Sequence, residues 1–138
     1  MTPTAPSFYA VAHFLRRHLP ARRAQAIKGF AHWLFWYWRD ARVGVVHDSG
    51  QIVAVCLARC IHAPSEGDQP YAHDEAAPLV WVQDIASTDP LGLPFLLQQA
   101  LARFGPREAF AGHVFARQNE LRLIPFRTVQ RLACLPVY

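Results

Sequence analysis

The sequence predicts an α+β fold: a mixed, mostly antiparallel sheet with two N-terminal helices and one crossover helix. The first 40 residues have helical periodicity, two β-branched runs meet at a turn signal, and one helical segment separates two later strands. Strands joined through a helix pair in parallel, whereas strands joined by a tight turn pair in antiparallel. A chain of 138 residues has the length of one domain, so we expect a single domain over 1–138.

Two helices are predicted before the first strand. Ser7 is suited to cap a helix that ends at Leu19, because the residue before Pro20 is pushed out of the helical region. The second helix, 21–41, begins with arginines and ends in the aromatic run WLFWYW (33–38). Such a run is not amphipathic, which leaves three interpretations open: core packing, a wall for a fatty acyl chain, or a homodimer or membrane-surface contact.

Residues 41–61 give the strongest strand signal, since two β-branched runs flank the turn sequence HDSG. Cys56 and Cys60 lie four residues apart on the second strand, or about 13 Å, which is too far for a disulfide. We expect two buried free thiols. The following segment, 62–78, holds three prolines and several acids without periodicity, which predicts an exposed acidic loop.

The second half of the chain alternates strands with one helix. LVWVQDIA (79–86) reads as a strand and 90–104 as the crossover helix. Two further strands are predicted at 107–116 and 122–132, and Pro125 places the last one at a sheet edge.

The charge distribution favours an anionic partner. The net charge is +4, and seven basic residues but only one acid, Asp40, fall within the first 42 positions. This asymmetry suits a phosphate-bearing carrier, an acidic protein or a nucleic acid. No nucleic-acid-binding motif accompanies the arginines, so we regard nucleic acid as the least favoured of the three.

The sequence contains neither a predicted membrane span nor a predicted metal site. No apolar run of about 20 residues could span a bilayer, and the N-terminus lacks the basic and apolar regions of a secretory signal. We therefore expect a cytoplasmic protein. His62, His73 and Asp74 share a loop but lack ligand spacing, so no metal site is expected.

The predicted order of elements resembles the Gcn5-related N-acetyltransferase (GNAT) superfamily, and the resemblance covers nearly the whole chain. In that family the central strand runs into an R/Q-x-x-G-x-G/A loop whose amides hold the pyrophosphate of coenzyme A. The matching stretch here is STDPLGLPF, in which only Gly92 fits, and Pro94 removes one amide donor. The loop thus departs from the pattern of acetyl-CoA-binding members.

Scattered residues are similar to one branch of this fold, the toxin-activating lysine acyltransferases. Residues 52–58 (IVAVCLA) resemble their [PV]-[VI]-A-[YF]-C-S-W-A strand, and Ile85-Ala86 with the following turn and helix resembles their D-W-I-A-P-F-G segment. The resemblance implies an acyl carrier protein, rather than coenzyme A, as the donor, and a protein lysine as the acceptor. Acyl-ACP or acyl-CoA is therefore the expected donor substrate.

The same resemblance implies two catalytic residues. His18 stands where the family has a histidine before the hairpin, and histidine is the side chain best suited to general-base duty near neutral pH. Asp84 lies one residue after the family's aspartate, whose position Gln83 fills here. A one-residue shift reverses the face of a strand, so Asp84 reaches the site only if the strand carries a bulge.

Donor contacts are predicted next to Asp84. Backbone amides of Ile85, Ala86 and Ser87 would stabilise the oxyanion, while Gly92 and Asn119 stand where the fold places ligand contacts.

Three functions remain open from the sequence. The first is an acyltransferase of GNAT-like fold that acylates an amine on a protein or small molecule. The second is a GNAT-fold protein that has lost catalysis and serves as a binding or regulatory module, which the eroded phosphate loop favours. The third, and least favoured, is a basic nucleic-acid-binding domain.

Overall fold

A computed structural model describes residues 7–115 and 120–134, which form one five-stranded sheet with helices on both faces. The helices are α1 (Phe8–His18), α2 (Pro20–Arg23), α3 (Ile27–Arg39), α4 (Gly92–Phe104) and α5 (Phe126–Ala133). The strands are β1 (Val43–Asp48), β2 (Gln51–Ile61), β3 (Leu79–Ser87), β4 (Ala109–Gly112) and β5 (Arg122–Pro125).

The sheet has the predicted mixed topology, with strands in the order β1-β2-β3-β4-β5. A tight turn joins β1 to β2 through Ser49 and Gly50, whose positive φ angles of 52° and 80° match the twist of a hairpin. β2 and β3 are antiparallel, β3 and β4 are parallel across α4, and β4 and β5 are antiparallel. The α+β prediction with a single crossover helix is therefore confirmed.

Apolar side chains are packed on both faces of the sheet, as the alternation along β2 requires. Cys56 and Cys60 face α4 and α5, whereas Val55 and Leu57 face α1 and α3. Both cysteines are buried free thiols, as predicted. Burial raises the pKa of Cys56 to about 12, so this thiol stays protonated and unreactive at neutral pH.

The second predicted helix is divided into α2 and α3. Arg16 stabilises the segment between α2 and α3, because its guanidinium donates hydrogen bonds of 3.2 and 3.1 Å to the carbonyls of Arg23 and Gln25. Ala26 is extended and α3 starts after it. Of the aromatic run 33–38, Leu34 and Tyr37 are buried and the tryptophans pack around them, which accords with the core-packing interpretation.

The C-terminal part differs from the prediction. The strand expected over 107–116 is shorter, because β4 ends at Gly112 and a 3-10 helix, His113–Phe115, follows it. The strand expected over 122–132 is wrong beyond Pro125, where the chain turns into α5. Val129 and Ala133 are buried on α5, a spacing of four that belongs to a helix rather than a strand.

Among the helices within the described ranges, none combines the length and the apolar character needed to cross a membrane.

Candidate functional site

The parallel strands β3 and β4 are paired over only three residue pairs. They pair at Leu79–Ala109, Val80–Phe110 and Trp81–Ala111, whereas β3 continues to Ser87. Gly112, the last residue of β4, still lies close to β3, since a Cβ there would lie 2.7 Å from the carbonyl oxygen of Val82. On its other side β3 stays paired with β2 up to Ser87. The β4 side of residues 83–87 thus forms an unpaired strand edge within the described part of the sheet, which we call the β3–β4 opening.

A bulge in β3 lies at the start of this opening. Val82 pairs with Ala58 and Asp84 pairs with Leu57, which leaves Gln83 as the extra residue. Gln83 and Asp84 therefore contact groups on the same face of the sheet, the face covered by the N-terminal helices. The predicted catalytic role of Asp84 requires such a bulge, because a regular strand would turn its side chain to the other face.

Asp84 is buried and paired with an arginine from α2. Arg22 donates from Nε to Oδ2 at 2.6 Å and from Nη2 to Oδ1 at 2.9 Å, and Asp84 is 7% exposed. The guanidinium also stacks over the Trp33 ring at 4.0 Å. Burial raises the pKa of the Asp84 carboxyl, and the hydrogen bonds and charge of Arg22 act against that rise. Arg22 is thus the group that favours the carboxylate form.

Arg59 occupies the same face of the sheet and is fully buried. Its Nη1 donates to the Tyr37 hydroxyl at 2.8 Å and to Gln83 Oε1 at 2.7 Å. Its remaining nitrogens donate to four backbone carbonyls of the 62–78 segment, those of Glu66, Gly67, Gln69 and Ala72. One buried cation therefore joins α3, β2, the bulge and this loop, and burial raises the pKa of Tyr37 to about 12.

The bulge is fixed by these contacts. Gln83 Oε1 accepts from Arg59 and also from Trp81 Nε1 at 3.1 Å. Because both donors are held in place by packing, Gln83 cannot rejoin the regular strand without leaving a buried donor unpaired. The side chains of Arg59 and Gln83 thus hold Asp84 on the face of Arg22.

The turn between β3 and α4 satisfies its own amides. Thr88 N–H donates to the Val53 carbonyl, Asp89 N–H to Ser87 Oγ, Leu91 N–H to Asp89 Oδ1 and Gly92 N–H to the Asp89 carbonyl. The Asp89 carboxylate therefore lies three residues before the first residue of α4, in the turn where an anion-binding loop would present free amides. This turn is poorly suited to a pyrophosphate.

Gly92 is needed for close packing. A Cβ at this position would overlap Ser87 Oγ and lie 2.8 Å from the Ala54 Cβ. We predict that Gly92→Ala lowers the free energy of unfolding by about 1–3 kcal/mol, measured by urea denaturation. Gly29→Ala is the control, because nothing lies within 4 Å of its Cβ, and it should raise stability by about 0.5–1 kcal/mol. Equal stabilities of the two variants would contradict this account of Gly92.

The structure does not pair the two predicted catalytic residues. His18 ends α1, exposed, with its ring 4.4 Å from that of Phe14. Asp84 gives both carboxylate oxygens to Arg22 instead. Their predicted catalytic roles stay predictions.

The predicted donor contacts lie partly in the opening. Ile85, Ala86 and Ser87 lie on the part of β3 that pairs with β2 but not with β4, and Gly92 begins α4 beyond it. Asn119 falls outside the described residues. Their roles in donor binding also remain predictions.

Sequence reasoning missed Arg22, Arg59 and Tyr37 as members of the site. One signal was present for Arg59, a lone charge in the apolar strand QIVAVCLARCI, and it is the same signal that drew attention to Asp84. Within residues 7–115 and 120–134, no group of three or more His, Cys, Asp or Glu side chains is placed to hold a metal ion.

No protein-family profile and no curated protein sequence matches the chain. Among solved structures, it is similar to one described as "GphF GNAT-like decarboxylase in complex with isobutyryl-CoA", with a TM-score of 0.56 and 23% sequence identity. The match covers 76% of this chain and 60% of that one. At this identity the likeness concerns the fold alone. The strand order, the crossover helix and this likeness together show that the chain has a GNAT-like α+β fold.

Proposed function

We propose that the chain binds an acyl thioester in the β3–β4 opening and transfers its acyl group to an amine, such as a protein lysine. The observation that carries the proposal is the β4-side edge of β3 over 83–87, which pairs with no strand among the described residues. The N–H and C=O groups of such an edge can pair with the amides of an extended pantetheine arm, as they pair with a peptide strand. The structurally similar GNAT-like decarboxylase is described in complex with isobutyryl-CoA, which supports a thioester as the ligand class.

The reaction needs few groups from the protein. The amine nitrogen attacks the thioester carbonyl carbon, the C–N bond forms, the C–S bond breaks, and the thiol leaves while the amine loses a proton. Amides of Ile85 and Ser87 are the proposed donors to the oxyanion, because Thr88 N–H donates to Val53 and alternate amides of β3 therefore face away from β2, whereas the Ala86 amide faces β2. His18 remains the proposed base, and Asp84 with Arg22 supplies a fixed, buried pair of charges.

We further propose that the pantetheine arm is delivered by an acyl carrier protein rather than by coenzyme A. The amides of Thr88, Asp89, Leu91 and Gly92 already donate within the protein, and Asp89 places negative charge just before α4. Both features disfavour the nucleotide part of coenzyme A but leave the arm itself unaffected.

A catalytically inactive binding module is the second candidate. The observation that favours it is the engagement of both Asp84 oxygens by Arg22, which leaves the carboxylate poorly placed to accept a proton. Such a protein would bind the thioester without turnover.

The binding test compares isobutyryl-pantetheine with isobutyryl-CoA by isothermal titration. We expect the two affinities to agree within about threefold, since the nucleotide gains no contacts in the turn. If isobutyryl-CoA bound about 100-fold more tightly than isobutyryl-pantetheine, the carrier proposal would be contradicted. If none of isobutyryl-pantetheine, isobutyryl-CoA and isobutyryl-ACP bound, the proposal of thioester binding would be contradicted altogether.

Product analysis separates the candidate reactions. Mass spectrometry of a lysine-containing peptide incubated with isobutyryl-ACP should show acylation, and His18→Gln should slow it by about 100-fold or more with binding unchanged. His32→Gln, another exposed helix histidine, is the matched control. Binding without product would favour the inactive module, and loss of CO2 from a malonyl thioester would favour a decarboxylase.

A further inference from the structure

An open groove of about 620 Å³ lies between α1 and the start of α3, separate from the residues of the proposed site. Its apolar lining includes Ala12 and Phe30, and Phe30 is buried at only 2% exposure. Tyr9 and Ile27, which also line it, are 82% and 68% exposed. The groove is therefore apolar and shallow, with a buried floor and exposed walls.

Three arginines, Arg16, Arg17 and Arg23, also line the groove. Arg16 is fixed, with its guanidinium 5.6 Å from the centre of the Phe30 ring and hydrogen-bonded to two backbone carbonyls. Arg17 and Arg23 are exposed. Residues 7–39 contain no aspartate or glutamate, so no acid of this segment neutralises the groove. Its field is positive over an apolar surface.

The shape of the groove selects the class of ligand. A small molecule in a protein site is usually 70–90% enclosed, which walls as exposed as Tyr9 and Ile27 do not achieve. A membrane surface needs a convex or flat apolar face, whereas here the most deeply set ring, Phe30, lies at the bottom of a concavity. A helix that lays an apolar face into a groove between two helices fits both features.

We infer that the groove docks an acidic amphipathic helix of a partner protein. Apolar side chains of the partner at positions i, i+3, i+4 and i+7 would cover Ala12, Phe30 and Ile27. Aspartates or glutamates beside them would meet Arg17 and Arg23 at the rim. The inference does not depend on thioester chemistry, because none of these residues belongs to the β3–β4 opening.

The test uses a labelled synthetic helix of about 18 residues, with leucines on one face and glutamates on its flanks, in fluorescence anisotropy. A scrambled peptide of the same composition controls for charge. We expect micromolar binding of the amphipathic peptide, weakening as salt rises, and at least about tenfold weaker binding to the scrambled one.

Two double variants locate the contact. The first, Arg17→Glu with Arg23→Glu, should weaken binding of the amphipathic peptide by about tenfold or more. The second, Arg127→Glu with Arg131→Glu on α5, makes the same change in net charge and should leave peptide binding unaltered. All four side chains are exposed, and circular dichroism checks that both variants fold. Equal weakening by both variants, or equal binding of the two peptides, would overturn the inference. So would tight binding to anionic lipid vesicles with no binding of the peptide.

Discussion

Replacing Arg59 by leucine is expected to lower the free energy of unfolding by about 3–5 kcal/mol. The substitution leaves four loop carbonyls, Gln83 Oε1 and the Tyr37 hydroxyl without their common donor in a buried environment. Removing one member of a buried polar network costs more than the network contributes as a whole, because the remaining groups stay desolvated. Urea denaturation followed by circular dichroism measures the loss.

Arg131→Leu is the control for this prediction, because Arg131 is exposed on α5 and its loss should change stability by less than about 0.5 kcal/mol. Arg59→Lys should also destabilise, since an ammonium has three donors and cannot reach all six acceptors arranged around the edge of the guanidinium. If Arg59→Leu were as stable as Arg131→Leu, the proposed role of Arg59 in holding the loop and the bulge would be wrong.

The second large effect is expected for the Arg22–Asp84 pair. Asp84→Leu leaves the guanidinium of Arg22 without its counter-ion, and Arg22→Met leaves a carboxylate that is nine-tenths buried. We expect each single substitution to cost about 3 kcal/mol or more. The double variant should cost clearly less than the sum, because it leaves no unpaired charge and replaces the pair with apolar contacts.

The measurement is a double-mutant cycle by urea denaturation of the four proteins. A coupling energy of about 1.5 kcal/mol or more is the expected result. Additive effects would mean that the two side chains act independently, and the pair would then have no part in fixing α2 against β3. Arg39 with Asp40, an exposed ion pair on neighbouring residues, provides the comparison and should show coupling below about 1 kcal/mol.

The sequence predicted the architecture more fully than the site. The hairpin, the central strand and the crossover helix could be predicted because each depends on local signals, such as the turn at Ser49-Gly50 and the helical spacing within 90–104. The segment 126–132 was predicted incorrectly as strand, because Pro125 is compatible both with an edge strand and with the position before a helix. Only the four-residue spacing of Val129 and Ala133 favoured the helix.

The site was only partly accessible because its contacts are distant in sequence. Asp84 was identifiable as a lone acid in an apolar strand, and the consecutive polar residues Gln83 and Asp84 were the local sign of a bulge. Its partner Arg22 lies 62 positions away, among several arginines of equal appearance, so only the folded chain distinguishes it. The sequence likewise does not show that His18 contacts Phe14 while Asp84 contacts Arg22.

The most direct test of thioester binding in the β3–β4 opening is an amide chemical-shift titration of the 15N-labelled protein with isobutyryl-pantetheine. Binding at the unpaired strand edge predicts the largest shifts at residues 83–87, with little change at the paired residues Leu79–Trp81. Saturable binding that shifts other amides and leaves 83–87 unchanged would contradict the proposal.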